Sequence, residues 1–269
     1  PLHLGHKALA VNLSDLAACG ALPKAFLLSL ALPEVVPQWL SEFSKGLWAL
    51  ADLHQCDLVG GDTTRGPLNI CITVLGEVPA QQALLRHGAQ VGDDIYVSGH
   101  LGDARLALEV FRGTLSVPQS VFEAARLRMD KPTPRVELGL ALRGLAHAAI
   151  DISDGLAQDL GHILSGSGVG AELELGRLPV SASLLDFHKD DSARWALQLS
   201  GGDDYELCFT ASPAEAFAIE QAMAAVGVTA SVIGHITAES GLRCLTPDGE
   251  HLTLDQTGYR HFAEASHVH

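Results

Sequence analysis

Carboxylates recur where an apolar segment of the chain gives way to glycine or serine. They are Asp15 in NLSD, Asp62 in GGDTTRG, Asp151 and Asp154 in DISDG, and Asp203 with Asp204 in SGGDDYEL. Loops at strand ends gather ligands in open α/β sheets, and carboxylate oxygens are hard donors suited to a divalent cation. The pattern therefore predicts a metal site assembled from several segments.

Each of these aspartates also has a plainer structural interpretation. Asp caps helices and begins turns, and Asp154, which precedes Gly155 and a helical pattern, is the strongest capping candidate. An uncharged turn residue would serve equally well at several of the positions. We therefore favour a functional role for these aspartates taken together, while helix capping stays open for any single one of them.

The GGDTTRG segment, residues 60–66, combines features of a phosphate-binding loop. Its two glycines allow close backbone approach, Asp62 offers an oxygen ligand, and Arg65 offers planar contacts to phosphate. A hairpin turn would explain the glycines but not the threonines and the arginine. Arg86, taken alone, is more typical of a surface charge or a helix-end partner.

The DISDG segment is predicted to place Asp151 and Ser153 on one face of an extended stretch, with Asp154 at the turn that follows. Two carboxylates and a hydroxyl would then share one pocket edge, which favours a divalent cation over a packed core. The sequence has no Walker A loop, GxGxxG signature, GxSxG elbow or Cys with a partnered His. Rossmann oxidoreductases, hydrolases and thiol enzymes are therefore disfavoured.

The elements that must position these residues alternate between helix and strand. Helices are predicted at residues 7–19, 39–53, 103–112, 119–129, 136–146, 156–165 and 213–226. Strands are predicted at 25–32, 57–60, 68–78, 94–98, 148–152, 171–175, 206–210, 231–237 and 242–245. This pattern predicts an α/β (α+β) fold in two domains, residues 1–84 and 85–269, with the boundary near 80–88.

Composition and charge narrow the function classes. The 269 residues carry 17 Lys and Arg against 32 Asp and Glu, a formal charge of −15, which disfavours nucleic acid as a partner. The sequence contains no run of about 18 consecutive apolar residues, so no membrane-spanning helix is predicted. Five widely spaced cysteines are typical of reduced thiols in a cytoplasmic protein. A phosphorylated substrate would need local neutralisation, most simply by Mg²⁺.

The segments VNLSDLAACGALP, GGDTTRG, ISDGLAQDLGHI and SGGDDYEL, in this order and spacing, closely resemble the bacterial thiamine-monophosphate kinase family. GGDT and SDG also occur in the wider superfamily, which includes aminoimidazole ribonucleotide synthetase and selenophosphate synthetase. The resemblance implies the two-domain aminoimidazole ribonucleotide synthetase-like fold. Its N-terminal α/β domain would bind ATP and metal and form the sheet of a homodimer.

The resemblance also implies a role for individual residues, in three groups. The implied Mg²⁺ ligands are Asp15, Asp62, Asp151 and Asp154; the implied nucleotide contacts are Gly61, Asp62, Arg86 and Ser153; the implied substrate contacts are Asp203 and Tyr259. Tyr259 is the loosest of these, because packing beside Phe262 explains it equally well. No residue is assigned as a general acid or base.

The activity implied by the resemblance is phosphorylation of thiamine monophosphate to thiamine diphosphate, with ATP as co-substrate and Mg²⁺. The family also has a segment of roughly sixty residues before the position of Pro1, with a GDDAA sequence and further metal and substrate ligands. The activity of this chain without that segment is left open. Two alternatives remain: another ATP-dependent member of the superfamily, or a non-catalytic nucleotide-binding module.

Overall fold

The computed structural model describes residues 1–187 and 190–252. These residues form nine α-helices: α1 (Leu2–Ala18), α2 (Pro37–Leu53), α3 (Asp103–Phe111), α4 (Gln119–Asp130), α5 (Val136–Ala141), α6 (Leu156–Ser167), α7 (Ala182–Phe187), α8 (Asp191–Ser200) and α9 (Ala216–Val226). They also form ten β-strands: β1 (Leu22–Leu32), β2 (Asp57–Arg65), β3 (Asn69–Glu77), β4 (Asp94–Ser98), β5 (Ala148–Asp151), β6 (Gly170–Glu174), β7 (Leu207–Ala211), β8 (Ala230–Thr237), β9 (Gly241–Leu245) and β10 (His251–Leu252). No helix in the described ranges is long and apolar enough to cross a membrane.

The strands form two mixed sheets. The first has three strands in the order β2-β1-β3, with β1 parallel to β2 and antiparallel to β3. The second has seven strands in the order β10-β9-β6-β8-β4-β7-β5, in which only the β6 and β9 pair is parallel. Helices cover faces of both sheets, so the predicted α/β (α+β) class is confirmed.

Helix α1 packs against both sheets, and this places the NLSD motif near the DISDG motif. Leu9 and Leu13 of α1 are fully buried in a cluster that also contains Phe26 of β1 and Phe209 of β7. The apolar residues of α1 therefore contact both sheets, and its polar residues near the C-terminal end reach the end of β5. Burial of these side chains stabilises the packing by roughly 1.5–3 kcal/mol for each large residue.

The prediction that GGDTTRG forms a loop is wrong, because strand β2 continues through this motif to Arg65. Asp62 lies opposite Ser29 in the parallel pairing with β1. Gly61 has a φ of +145°, and a Cβ at this position would lie 1.9 Å from the Leu28 carbonyl oxygen. Pairing with β1 thus outweighs the turn preference of the glycines, and close approach of two backbones explains why Gly61 lacks a side chain.

Several other elements differ from the sequence predictions. The helix predicted at 136–146 ends at Ala141, and the one predicted at 213–226 begins with a 3₁₀ turn, Pro213–Glu215. Helices α7 and α8 were not predicted. Both are short, and much of the stability of such helices comes from tertiary packing rather than from local pattern.

Candidate active site

A buried hydrogen bond joins the NLSD motif to the DISDG motif. The Ser14 hydroxyl donates to Asp151 Oδ2 at 2.7 Å, and Asp151, the last residue of β5, is only 4 % exposed. Burial raises the pKa of Asp151; the Ser14 hydrogen bond acts to lower it, and the charge of Asp15 raises it further. Burial also raises the pKa of Asp15, against the lowering effect of Arg86. These three charged residues therefore share one electrostatic environment.

The donor chemistry of Asp15 and Asp151 fits Mg²⁺. Each is a hard oxygen donor whose ionised form is disfavoured by burial, and the two charges disfavour each other, so a divalent cation would stabilise both. Among the described residues no group of three or more His, Cys, Asp or Glu side chains is placed to hold a metal ion. Mg²⁺ commonly uses one or two carboxylates and completes its shell with water and substrate phosphates. The arrangement thus fits an ion that binds together with a phosphate ligand.

The 151–155 segment is shaped by Asp159. Helix α6 begins after Gly155, whose φ is +127°, and Asp154 makes no capping hydrogen bond. The capping interpretation of Asp154 is therefore wrong; its carboxylate instead accepts a hydrogen bond from Gln158 Nε2 at 3.2 Å. Asp159 Oδ2 accepts the backbone N–H groups of Ser153, Asp154 and Gly155 at 3.0, 3.0 and 3.1 Å.

The SGGDDYEL segment packs directly against this loop. Asp203 and Tyr205 both have positive φ, +70° and +50°, which is costly for residues with a side chain. The Tyr205 hydroxyl donates to Asp203 Oδ1 at 3.0 Å, and Lys7 Nζ lies 3.1 Å from Asp203 Oδ2. A strained turn thus holds the Asp203 carboxylate between an aromatic hydroxyl and an ammonium group.

The two segments form one wall of a cleft of about 410 Å³. The residues that line it are Ser153, Asp154, Gly202, Asp203 and Tyr205, with Ala104, Arg105 and Leu108 of α3 opposite. Three predicted site residues, Ser153, Asp154 and Asp203, therefore meet in a single cleft. Arg105 Nε lies 2.7 Å from Glu109 Oε1, so the positive charge on this wall is paired.

Other predicted site residues do not line this cleft. Asp151 does not share a pocket edge with Ser153 and Asp154, because β5 ends at Asp151 and its carboxylate points to Ser14 instead. Asp62 accepts a hydrogen bond from the Thr63 N–H at 2.8 Å and, within the part of the chain described, forms no hydrogen bond or ion pair with Asp15 or Asp151. Tyr259 lies outside the described residues.

Four contributors to the site region were missed at the level of sequence: Ser14, Lys7, Arg105 and Asp159. Ser14 and Asp159 carry a weak signal at best, since each is one of several polar residues on its helix and only the fold shows that it is fully or almost fully buried. Lys7 shares helix α1 with the NLSD motif but lies far from Asp203 in sequence, and Arg105 lies on α3, outside the motifs. Only the fold places them beside Asp203 and the cleft. A second cavity, of about 610 Å³, between α1, α2 and α5 contains none of the predicted site residues.

The sequence and fold are those of a known family. Residues 1–78 match the AIR synthase related protein, N-terminal domain, and residues 90–245 match the AIR synthase related protein, C-terminal domain. The chain therefore belongs to the family of AIR synthase related proteins. Within that family its similarity is to the thiamine-monophosphate kinases, which confirms the resemblance seen in the motifs.

Relatives and solved structures support this assignment. The thiamine-monophosphate kinase of Escherichia coli K12 is 46% identical over 265 residues, which cover 98% of this chain and 81% of the relative. The thiamine-monophosphate kinase of Stenotrophomonas maltophilia K279a superposes with a TM-score of 0.87 at 46% identity, covering 93% of this chain and 80% of that one. AaThiL complexed with AMPPCP and TMP superposes with a TM-score of 0.83 at 30% identity, covering 97% and 81%. The two-domain fold is thereby confirmed, while the boundary between residues 84 and 85 stays a prediction.

Proposed function

We propose that this protein transfers the γ-phosphoryl group of ATP to thiamine monophosphate, forming thiamine diphosphate and ADP. The observation that carries the proposal is the 46% identity to the Escherichia coli thiamine-monophosphate kinase over 98% of the chain, a length that includes all four motifs. The solved relative bound to AMPPCP and TMP supports both substrates.

The reaction needs positioning more than acid or base catalysis. The acceptor oxygen belongs to a phosphate monoester, whose second pKa near about 6 leaves it largely ionised at neutral pH, so no general base is required. This oxygen forms a bond to the γ-phosphorus while the bond from the γ-phosphorus to the β–γ bridging oxygen breaks, and ADP leaves. The main obstacle is bringing two polyanions into line.

We propose that the carboxylates of Asp15, Asp62, Asp151 and Asp154 hold Mg²⁺. When bound, Mg²⁺ supplies the positive charge that lowers the repulsion between the two phosphate groups. The raised pKa values of Asp15 and Asp151, which both follow from burial, support a cation at this position. Bound Mg²⁺ would also explain how a chain with a formal charge of −15 binds a nucleotide.

The remaining proposed contacts divide between nucleotide and substrate. Gly61, Arg86 and Ser153 would contact ATP, with Asp62 beside them. Asp203 would contact the thiamine portion, for which the cleft offers a carboxylate next to the ring of Tyr205, an arrangement suited to a positively charged heteroaromatic ring. Tyr259 keeps its proposed substrate role, argued from the sequence alone.

We also propose that the protein acts as a homodimer in the cytoplasm. Leu27, Val59 and Leu75 of the three-stranded sheet are exposed by 39, 60 and 50 %, an apolar surface that a second copy would cover. The five cysteines are free thiols, and Cys56, Cys208 and Cys244 are buried.

Turnover by the full-length gene product tests the proposal. With thiamine monophosphate, ATP and Mg²⁺ as the sole additions, we expect thiamine diphosphate and ADP in equal amounts by chromatography. Release of ADP that requires an added amide or selenide acceptor would instead support another ATP-dependent member of the superfamily.

A further inference from the structure

Asp159 receives an unusual set of hydrogen bonds. One oxygen, Oδ2, accepts three consecutive backbone N–H groups, those of residues 153, 154 and 155. The Asp159 side chain is itself buried, with the residue only 3 % exposed. A single carboxylate oxygen therefore orients the whole peptide segment that carries Ser153 and Asp154.

These bonds organise the loop rather than the helix. The free N–H groups of a helix belong to its first turn, which in α6 begins at Leu156. The donors to Asp159 all precede Leu156, and the Asp159 N–H makes the ordinary helical bond to the Gly155 carbonyl at 2.9 Å. Capping of α6 therefore accounts for the bond from the N-cap residue Gly155 but not for the bonds from Ser153 and Asp154.

The carbonyl groups of the loop are fixed from the other side. Asp203 N–H donates to the Ser153 carbonyl at 2.9 Å, and Tyr205 N–H donates to the Ile152 carbonyl at 2.8 Å. The N–H groups of residues 153–155 thus donate to Asp159, and the carbonyl groups of residues 152 and 153 accept from the 203–205 turn. The side chains of Ser153 and Asp154 are left to line the cleft.

We propose that Asp159 is a positioning residue for phosphoryl transfer, which holds the 153–155 backbone so that Ser153 and Asp154 face the bound nucleotide and metal. The inference rests on the proposed function. The geometry supports this role, because one buried carboxylate oxygen of Asp159 holds the three consecutive N–H groups of the segment that carries Ser153 and Asp154. Both of these side chains line the cleft.

The test compares two substitutions of Asp159 with a matched control. Asp159→Ala removes the acceptor, whereas Asp159→Asn keeps one oxygen that can accept. The control is Asp93→Asn, because Asp93 is also 3 % exposed and accepts a backbone N–H, that of Gln90 at 2.9 Å, in a turn without predicted site residues. All variants are made in the full-length gene product, and their melting temperatures are recorded.

Kinetics should separate positioning from folding. Loss of hydrogen bonds to a charged group predicts a fall in kcat of about 10–100-fold for Asp159→Ala, with a rise in the half-saturating Mg²⁺ concentration. Asp159→Asn should be intermediate. Asp93→Asn should lose stability but keep both kinetic values. Kinetic values within about twofold of wild type in both Asp159 variants would overturn the proposal.

Amide hydrogen exchange gives a readout that does not depend on activity. In both Asp159 variants the amides of residues 153–155 should exchange faster than in wild type, with little change in Asp93→Asn. Unchanged exchange would overturn the positioning role. Absence of wild-type turnover would overturn the proposed function separately, and exchange would still decide whether Asp159 orders the loop.

Discussion

Ser14 and Asp151, which are 137 residues apart in sequence, are joined by a buried hydrogen bond of 2.7 Å between Oγ and Oδ2. Ser14 is completely buried on α1, and Asp151 ends β5. This bond fixes the orientation of a carboxylate whose ionised form is disfavoured by burial and by Asp15. It therefore links the helix of the NLSD motif to the strand of the DISDG motif at the proposed metal site.

Removal of this hydroxyl is expected to weaken catalysis more than folding. Ser14→Ala leaves Asp151 with neither its donor nor the orientation that the bond provides. A hydrogen bond to a charged group contributes about 1.5–3 kcal/mol, so kcat/KM should fall about tenfold or more. Steady-state kinetics at several Mg²⁺ concentrations measures the effect.

Ser181→Ala is the matched control, because the Ser181 hydroxyl donates to Asp103 Oδ1 at the same 2.7 Å distance. This variant should lose stability without a comparable fall in kcat/KM. Equal kinetic losses in the two variants would contradict a special role for the bond between Ser14 and Asp151.

Asp62→Asn and Asp151→Asn are each expected to abolish turnover while the fold stays intact. The substitution removes a metal ligand and its charge but almost no volume, and the amide oxygen at position 151 can still accept from Ser14. The melting temperature without ligand should stay near that of wild type. Asp57→Asn, which removes a carboxylate from the start of the same strand as Asp62, is the control and should keep its activity. Substantial turnover by either Asp62→Asn or Asp151→Asn at saturating Mg²⁺ would refute the assignment of that residue.

Nucleotide binding should depend strongly on Mg²⁺. Arg65 and Arg86 are the basic residues of the predicted motifs, and the two cations that the fold adds are paired, Lys7 with Asp203 and Arg105 with Glu109. ATP alone would therefore meet a pocket dominated by carboxylates. Calorimetric titration with a non-hydrolysable ATP analogue should show binding with Mg²⁺ and a large loss of affinity in excess EDTA. Tight binding in EDTA would be inconsistent with this electrostatic account.

Asp204 makes stability depend on pH in a defined direction. Burial raises the pKa of Asp204 well above its ordinary value, although the Gly102 N–H donates to its carboxylate. Between the ordinary and the raised pKa, the unfolded chain loses a proton that the folded chain keeps, so this contribution to stability is lost as the pH rises. Asp204→Asn removes the effect, and its stability relative to wild type should increase as the pH rises from 5 to 8.

Urea unfolding at several pH values measures this difference. Asp52→Asn, which replaces an exposed carboxylate on α2, serves as the control and should show little pH-dependent difference from wild type. A constant difference between wild type and Asp204→Asn over this pH range would contradict the assigned pKa shift.

Much of the fold follows from local pattern. The apolar period of residues 39–53 predicted α2, and the short apolar run closed by Pro33 predicted β1. GGDTTRG misled because two glycines favour a turn locally, whereas pairing with β1 along the whole segment decides its conformation. Short helices such as α7 carry too few residues for a periodic signal.

Less of the site follows from sequence. The motifs predicted Asp15, Asp151 and Asp154 as metal ligands, since unpaired carboxylates in that pattern are rare in a core, and these roles stay predictions. They could not show that Asp151 turns to Ser14 and away from the cleft, because this depends on the packing of α1 against β5. Lys7 was equally out of reach, since it approaches Asp203 only through tertiary structure.

The most direct test of the central claim is transfer of label from [γ-³²P]ATP in the presence of thiamine monophosphate and Mg²⁺, catalysed by the full-length gene product. The account predicts that label appears in thiamine diphosphate, that transfer stops in EDTA, and that Asp151→Asn abolishes it. Hydrolysis of ATP to labelled inorganic phosphate, with no label in thiamine diphosphate, would contradict the assignment.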